Sequence, residues 1–185
     1  MDQTQIEQAA ALLVQARRSM QPIAGMPEAL RPASVAEAHA IQDATTAMLG
    51  KRVGAYKANA PANGEPNRGV IYDGTILPSP ARIAAVEVPS CGVEGEVAFV
   101  FRRALPARTT DYTRDEVAAV VDALAAIEVV HSRYADRTKV SNLETLADSI
   151  SNGAFVHAAP LADWHKLDLG KLKVKIGRAS CRERV

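Results

Sequence analysis

The segment from Gly92 to Val100, which reads G-V-E-G-E-V-A-F-V, places the strongest constraint on the fold. Its apolar residues alternate with carboxylates at a period of two, which predicts a β-strand. Successive side chains of a strand point to opposite faces, so Glu94 and Glu96 share one face. Two carboxylates on one face lie about 7 Å apart at their Cα atoms, close enough to hold one hard cation between them. The alternative is a half-buried strand whose solvent face carries two glutamates.

A single carboxylate, Glu128, interrupts the apolar run A-A-I-E-V-V at residues 125–130. A glutamate is rarely buried unless it is paired with a cation or coordinates a metal. Two interpretations follow: an ion pair with Arg133, or a third oxygen ligand for a cation shared with Glu94 and Glu96. A set of three carboxylates favours Mg²⁺, Mn²⁺ or Ca²⁺ over Zn²⁺.

Length and composition describe one globular domain. The chain has 185 residues, of which 48% are hydrophobic and 4% aromatic, and its formal net charge is +1. This balance provides no electrostatic field for nucleic acid or for acidic lipid. No apolar run approaches the length of a membrane span, and the polar N-terminus does not resemble a signal peptide. Two cysteines, Cys91 and Cys181, form no disulfide framework, so we expect a cytoplasmic protein.

Periodicity and capping signals predict an α+β fold in which helices precede a mixed or antiparallel sheet. Helices are predicted from Thr4 to Met20, from a capping box at Ser34 to Leu49, and from capping boxes at Thr113 and Ser141. The third of these should carry Val117, Val120, Val121 and Leu124 on one stripe. Strands are predicted over residues 52–59, 69–73, 82–88, 92–102, 153–157 and 172–176, with 82–88 paired to the strand that carries Glu94.

The last ten residues, I-G-R-A-S-C-R-E-R-V, do not continue this pattern. They match the translation of one reading frame of a common sequencing adapter. We therefore expect residues 1–50 to form an N-terminal helical region, 51–175 a region that contains the sheet, and 176–185 a foreign tail. Such a chain would leave 172–175 at an unfinished sheet edge and would be marginally stable.

Five motifs in one order resemble the fumarylacetoacetate hydrolase superfamily, and within it the branch of 2-oxopent-4-enoate hydratases and 4-oxalocrotonate decarboxylases. The resemblance runs from about Ile6 to about Lys175. The motifs are A-H-A-I-Q at 38–42, G-A-Y-K at 54–57, V-E-G-E-V-A-F-V at 93–100, I-E-V-V-H-S-R at 127–133 and L-A-D-S-I-S-N-G-A-F-V at 146–156. Two positions depart from the family pattern, which often has Asp at His131 and Asn at Ser149. The family also continues well beyond Lys175, so we expect a chain that ends in a foreign tail there to be weak or inactive even with its ligands intact.

The resemblance implies that residues 51–175 form a partial catalytic domain, a mixed β-sheet roll that is incomplete at the C-terminus. It also implies that Mg²⁺ or Mn²⁺ is held by Glu94, Glu96 and Glu128. Lys57 would be the active-site lysine, with a lysine at a strand edge as the alternative. Asp73 and Asp148 are further catalytic candidates, although each could instead bind backbone groups. Arg133 would orient a metal ligand or pair with a carboxylate.

The implied reaction is hydration of a 2-hydroxy-2,4-dienoate to a 4-hydroxy-2-oxo acid, as in the catabolism of aromatic compounds. The alternatives are decarboxylation of a 2-oxo-3-enedioate such as 4-oxalocrotonate, hydrolysis of a C–C bond, and a non-catalytic partner subunit. Hydrolysis is disfavoured because no histidine lies in a matching motif before Glu94. The expected partners are a small 2-oxo acid or dienol, further copies of the chain, and a hydratase–decarboxylase hetero-complex, without nucleic acid or membrane.

Overall fold

The computed structural model describes residues 1–60, 64–90 and 92–175. Two long helices open the chain: α1 (Gln3–Ser19) and α2 (Val35–Leu49). A capping box between Asp2 and Gln5 begins α1, and Ser34 accepts a hydrogen bond from the Glu37 backbone at the start of α2. Gly50 ends α2 in a left-handed conformation, which a glycine adopts without steric cost. Both helices therefore begin and end within about two residues of their predicted limits.

The strands form two sheets. Their bounds are β1 (Val53–Asn59), β2 (Asn67–Tyr72), β3 (Ile76–Pro78), β4 (Gly92–Phe101), β5 (Val121–Val130) and β6 (Asn152–His157). The first two pair as an antiparallel ribbon, and the others form a four-stranded sheet in the order β3-β6-β5-β4. Only the β3–β6 pair of that sheet is parallel, so the predicted mixed sheet is confirmed.

Short helices connect these strands. α3 (Arg114–Ala118) precedes β5, and α4 (Asn142–Ala147) precedes β6. Both begin with the predicted capping boxes, at Thr113 and Ser141. Tight 3₁₀ turns at Asp73–Thr75 and Ser149–Ser151 lead into β3 and β6.

Three sequence predictions of secondary structure are wrong. Residues 82–88 form turns rather than a strand, and β4 pairs with β5 instead, which offers a partner of equal length. The predicted stripe from Val117 to Leu124 is divided, since α3 ends at Ala118 and β5 begins at Val121. The spacing of these valines is compatible with a helix or with a strand. Pairing in the sheet favours the strand from Val121 onward, where β-branched residues fit well.

The third wrong prediction is the strand at residues 172–176. The described residues 172–175 are not in a strand, so they do not form the predicted sheet edge. Val174 instead packs on the sheet at Gly95, where a Cβ atom would lie 2.8 Å from the Val174 side chain. The proposed foreign tail at 176–185, with Cys181, lies outside the described residues, as does Cys91.

The helical core joins the N-terminal helices to the chain around β6. Ala9, Leu13 and Ile41 pack with Tyr134 and Leu146. The buried residues of this core are Ala9, Ala10, Leu13, Met26, Ala38, Ile41, Tyr134, Leu146 and Ala147. A smaller core of Ile71, Ala126 and Phe155 joins the ribbon to the four-stranded sheet. The ribbon therefore packs on the four-stranded sheet through apolar side chains.

The alternation along β4 suggested a buried apolar face and a solvent-exposed glutamate face, and the structure shows a different arrangement. The apolar face is the more exposed one: Val93, Val97 and Phe99 each retain 40% or more of their surface. Phe99 packs edge-to-face on Trp164, with ring centroids 5.0 Å apart. The opposite face of the sheet, which carries the glutamates, is turned toward the β1–β2 ribbon. Among the described residues, no helix is long and apolar enough to cross a membrane.

His39 makes the contact between α2 and β2 sensitive to pH. Its Nε2 accepts a hydrogen bond from the Arg68 backbone N–H (3.1 Å), which only the neutral ring can do. Burial, and then the charge of Arg68, lower the pKa of His39 below its ordinary 6.5. The unfolded chain therefore binds a proton more readily, and this contribution to stability is complete above about pH 6.5 and lost as pH falls through the folded pKa.

We accordingly expect His39→Gln to reduce the loss of stability on acidification. Its amide oxygen does not titrate in this range, whereas the imidazole does. The measurement is the melting temperature of both proteins at pH 7.5 and 5.5. Equal losses of melting temperature in the two proteins would contradict the role given to His39.

Candidate metal centre

Glu94, Glu96 and Glu128 converge on one face of the four-stranded sheet. Glu94 lies directly opposite Glu128 in the antiparallel β4–β5 register, and Glu96 follows one pleat further along β4. Directly opposed residues point to the same face, which places all three side chains together. One carboxylate oxygen from each residue lies within 4.8 Å of the others. The cluster expected from sequence is thus assembled by strand register.

Burial of the cluster is graded from one strand to the next. Glu128 is completely buried, whereas the Glu94 side chain is 48% exposed. Glu96 is half-buried between these limits. One side of the cluster is therefore open to solvent, and a small ion or ligand can enter there.

The donor set fits a hard divalent cation. Three carboxylates this close repel one another, and a cation among them relieves that repulsion. Two ligands of one ion are separated by at most twice the metal–oxygen distance, which is about 4.2 Å for Mg²⁺ and about 4.9 Å for Ca²⁺. The separation of at most 4.8 Å lies within this range for Ca²⁺ and within a small side-chain movement of it for Mg²⁺. Oxygen ligands alone favour such ions over zinc.

Lys57 reaches this cluster from the other sheet. It lies on β1 and pairs with Gly69 of β2. Its ammonium forms an ion pair with Oε2 of the buried Glu128 and lies 4.0 Å from Oε2 of Glu94. Only 12% of the Lys57 side chain is exposed. The lysine is therefore part of the cluster rather than a side chain in solvent at a strand edge.

A left-handed turn packs beside Lys57. Ser149, Ile150 and Ser151 all have φ values between 52° and 59°, a conformation that costs L-residues about 1–2 kcal/mol each. The carbonyl of Ile150 accepts a hydrogen bond from the Lys57 ammonium (3.4 Å). Gly69 makes room for the turn, since a Cβ there would lie 2.8 Å from the Ser149 carbonyl oxygen. Strain of this kind is maintained where surrounding packing demands it.

Arg133 does not pair with Glu128, which was one of the two interpretations of that glutamate. It binds Asp148 instead, with Nε 2.5 Å from Oδ1 and its backbone N–H 3.0 Å from Oδ2. Arg17 of α1 reaches the same carboxylate at 3.4 Å. Burial, followed by the charge of Arg133, lowers the pKa of Arg17 to about 10, so Arg17 is still charged at neutral pH.

The two aspartates proposed from sequence occupy different surroundings. Asp148 is completely buried and bound by the two arginines. Asp73 lies in the exposed turn before β3 and forms an ion pair with Arg52 at 2.7 Å. The geometry thus brings Lys57 and the three glutamates into one cluster and places Asp73 in a separate surface pair.

The sequence interpretation overlooked Asn152, whose amide donates a hydrogen bond to Oε1 of Glu128 (2.9 Å). This residue lies inside the motif that ends in S-N-G-A-F-V, but asparagine before glycine most often indicates a turn. A buried carboxylate such as Glu128 needs a hydrogen-bond donor, and this requirement could have directed attention to the asparagine in that motif.

Comparison with known proteins decides the family. The chain is 31% identical over 186 aligned positions to a 2-keto-4-pentenoate hydratase of Paraburkholderia xenovorans (strain LB400), with 94% of this chain and 68% of the relative covered. The 2-keto-4-pentenoate hydratase 3 of Pseudomonas putida gives the same figures. The chain belongs to this hydratase family. The predicted branch of the fumarylacetoacetate hydrolase superfamily is thereby confirmed. No model of a protein family matches the chain.

Two solved structures of a 4-oxalocrotonate decarboxylase have the same fold. A 4-oxalocrotonate decarboxylase from Pseudomonas putida G7, complexed with magnesium and adipate, superposes with a TM-score of 0.74 at 18% identity. The match covers 92% of this hydratase-family chain and 68% of the decarboxylase chain. The same enzyme complexed with calcium and acetate gives a TM-score of 0.71 at 19% identity, covering 91% and 67%. The predicted α+β fold of this type is therefore confirmed.

Proposed function

We propose that this chain carries the catalytic site of a divalent-cation-dependent hydratase that adds water to a 2-hydroxy-2,4-dienoate and forms a 4-hydroxy-2-oxo acid. The observation that supports this most directly is the cluster of Glu94, Glu96 and Glu128 in contact with the Lys57 ammonium. The cluster is found in a chain whose relatives are named 2-keto-4-pentenoate hydratases. Mg²⁺ or Mn²⁺ is the proposed cation, because the ligands are carboxylate oxygens.

The glutamates would hold the cation, which supplies Lewis-acid stabilisation of negative charge on a substrate oxygen when bound. Ketonisation of the dienol and addition of water also require a group that gives and takes protons. Nζ of Lys57 is the group we assign to this task, because it lies at the cluster and is largely removed from solvent. The solvent-exposed side of Glu94 is the direction from which substrate and water would enter.

The surroundings of the cluster favour a hydratase over a decarboxylase. Ala126 lies directly opposite Glu96, and Phe155 lies directly opposite Glu128. Both belong to the apolar core that joins the two sheets, and Ala98 packs against it. An apolar boundary suits the uncharged vinyl end of a dienoate. The second carboxylate of an enedioate would lose hydration there.

Decarboxylation of 4-oxalocrotonate is the second candidate, since it is supported by the fold of the solved decarboxylase. It needs the same stabilisation of an enolate but adds no water. The test gives each substrate to the purified chain and to the chain extended from residue 175 by the C-terminal segment of the P. xenovorans hydratase, with Mg²⁺, with Mn²⁺ and with excess chelator. We expect metal-dependent conversion of 2-hydroxypenta-2,4-dienoate to its hydrated product.

Release of CO₂ from 4-oxalocrotonate without hydration of the dienoate would support the second candidate. Hydration that continues in excess chelator would contradict the metal mechanism. Mn²⁺ binding without conversion of either substrate, in both the chain and its extended version, would support the non-catalytic partner subunit. Proton transfer by Asp73 or Asp148, association into oligomers or a hetero-complex, a cytoplasmic location and a role in aromatic catabolism remain predictions.

A further inference from the structure

The side-chain amide of Asn152 donates a hydrogen bond to Oε1 of the buried Glu128. Asn152 is 3% exposed and Glu128 is completely buried. A carboxylate accepts hydrogen bonds and cannot donate when it is ionised, so the amide must present its NH₂ group. This bond leaves Oε2 of Glu128 for a cation, which in this structure is the Lys57 ammonium.

A β-bulge at Gly153 brings Asn152 to the face of the cluster. Val129 pairs with Ala154 and Val130 pairs with Asn152, so Gly153 is an extra residue in β6. If Gly153 instead paired regularly with Val130, Asn152 would lie on the opposite face of the sheet from Glu128, because side chains alternate along a strand. The bulge therefore determines that the amide reaches the carboxylate.

Only a glycine fits at the bulge. A Cβ at residue 153 would lie 2.8 Å from the Val129 carbonyl oxygen and 2.9 Å from the His131 Cβ. Contacts this short to backbone and Cβ atoms cannot be relieved by rotating a flexible side chain. The N-G pair at 152–153 thus supplies the amide donor and the space that the bulge requires.

A buried ionic network holds the backbone of Asn152. Nη1 of Arg133 donates to the Asn152 carbonyl oxygen (2.9 Å), and Nη2 donates to the Asp148 carbonyl oxygen (2.9 Å). Asp148 in turn binds Nε of Arg133 and is approached by Arg17 of α1. Arg133 and Asp148 are 2% and 0% exposed. These contacts favour a positioning role for Asp148.

We propose that Asn152 is a positioning residue of the metal centre. Its amide orients Glu128 so that Oε2 faces the cation position, and the Arg133–Asp148 pair keeps the amide in place. This inference rests on the proposed metal centre. Groups that orient a metal ligand commonly contribute 10-fold to 100-fold to metal affinity.

The test compares Asn152→Leu with the parental chain by Mn²⁺ titration, monitored through the electron paramagnetic resonance signal of free Mn²⁺. Leucine has the same branched arrangement of side-chain heavy atoms as asparagine, although it is larger, and it lacks the donor. We expect the dissociation constant to rise about 10-fold to 100-fold. Folding of each protein is checked by circular dichroism and thermal melting.

Gln42→Leu is the matched control, because Gln42 is another buried amide, 1% exposed, that donates to the carbonyl oxygens of Arg68 and Leu146. This control should lose stability and keep the parental Mn²⁺ affinity. An equal loss of affinity in both variants would overturn the proposal. Asn152→Ser provides a second variant if Asn152→Leu does not fold, since its hydroxyl is too short to reach Glu128.

Parental affinity in a folded Asn152→Leu or Asn152→Ser protein would overturn the positioning role while leaving the metal centre intact. Weakened binding in either variant, with Gln42→Leu unchanged, would support it. A parental chain that binds no Mn²⁺ would instead overturn the metal centre, and with it this inference.

Discussion

Glu128→Gln should weaken Mn²⁺ or Mg²⁺ binding by at least about 100-fold and abolish hydration, with little loss of stability. A glutamine keeps the shape and can still accept the hydrogen bond from Asn152, but it removes one of three charges from the ion's ligands. The loss should therefore exceed that of an outer positioning group, and 100-fold corresponds to about 2.7 kcal/mol. The loss of stability should be small because the Lys57 ammonium still has the Glu94 carboxylate, 4.0 Å away, as an opposite charge.

A purely structural role for Glu128 predicts the reverse result. Removing one partner of a buried ion pair costs about 3–5 kcal/mol of stability, and a structural pair has no effect on cation affinity. Titration calorimetry with Mg²⁺ and urea unfolding of the same protein separate the two roles. Glu144→Gln is the control, because Glu144 is also buried but accepts hydrogen bonds from Met26 and Ser141 away from the cluster. It should lose stability and keep cation affinity.

Lys57→Met should tighten cation binding while it abolishes catalysis. The Lys57 ammonium contacts Glu128 and approaches Glu94, so it competes with a cation for the same carboxylates. Methionine keeps a flexible apolar side chain of similar length and removes the charge. Loss of one nearby positive charge should lower the dissociation constant at least about 10-fold, or ~1.4 kcal/mol. Loss of the proton-transferring group should reduce the rate about 10²-fold to 10⁴-fold.

Lys51→Met is the control for a general change of charge. Lys51 is exposed and lies over the Tyr72 ring, 5.3 Å from its centroid, outside the glutamate cluster. Its replacement should leave both the cation affinity and the rate near the parental values. Weaker cation binding in Lys57→Met, or a rate close to the parental one, would show that the lysine neither competes with the ion nor takes part in the reaction.

The Glu128 and Lys57 variants together distinguish the role of a metal ligand from that of a lysine that competes with the metal ion. Both should be inactive, yet the cation affinity should fall in one and rise in the other. A scaffold that merely pairs charges at a sheet junction would show neither change in affinity. The opposed signs follow from charge alone, because one substitution removes a ligand and the other removes a competitor.

Local sequence patterns were sufficient for the elements whose signals lie within a few residues. The capping boxes at Thr113 and Ser141 and the alternation around Glu94 and Glu96 each depend on neighbours in the chain. Alternation alone also implied that the two glutamates share a face. It could not show which face of β4 would be covered, and the apolar face proved to be the more exposed one.

Non-local pairing decided the elements that the sequence patterns left ambiguous. Val120 and Val121 suit a helical stripe as well as a strand. Pairing with the ten-residue strand β4 decides between them: Val120 directly precedes β5, and Val121 begins it, opposite Phe101. Residues 82–88 resemble a strand but form turns, although β4 lies at the edge of the sheet and has a second side for pairing. Such choices depend on contacts between distant segments, which intrinsic propensity does not encode.

The sequence by itself determined the ligand type, through three carboxylates and one lysine in recognisable motifs. Only the tertiary structure decided their arrangement. Strand register sets Glu128 opposite Glu94, and the contact between two sheets brings Lys57 to both. The bulge at Gly153 turns Asn152 to the same face, because one extra residue reverses the alternation of a strand. A buried charge must find its partners in three dimensions, and those partners lie 24 to 71 positions away along the chain.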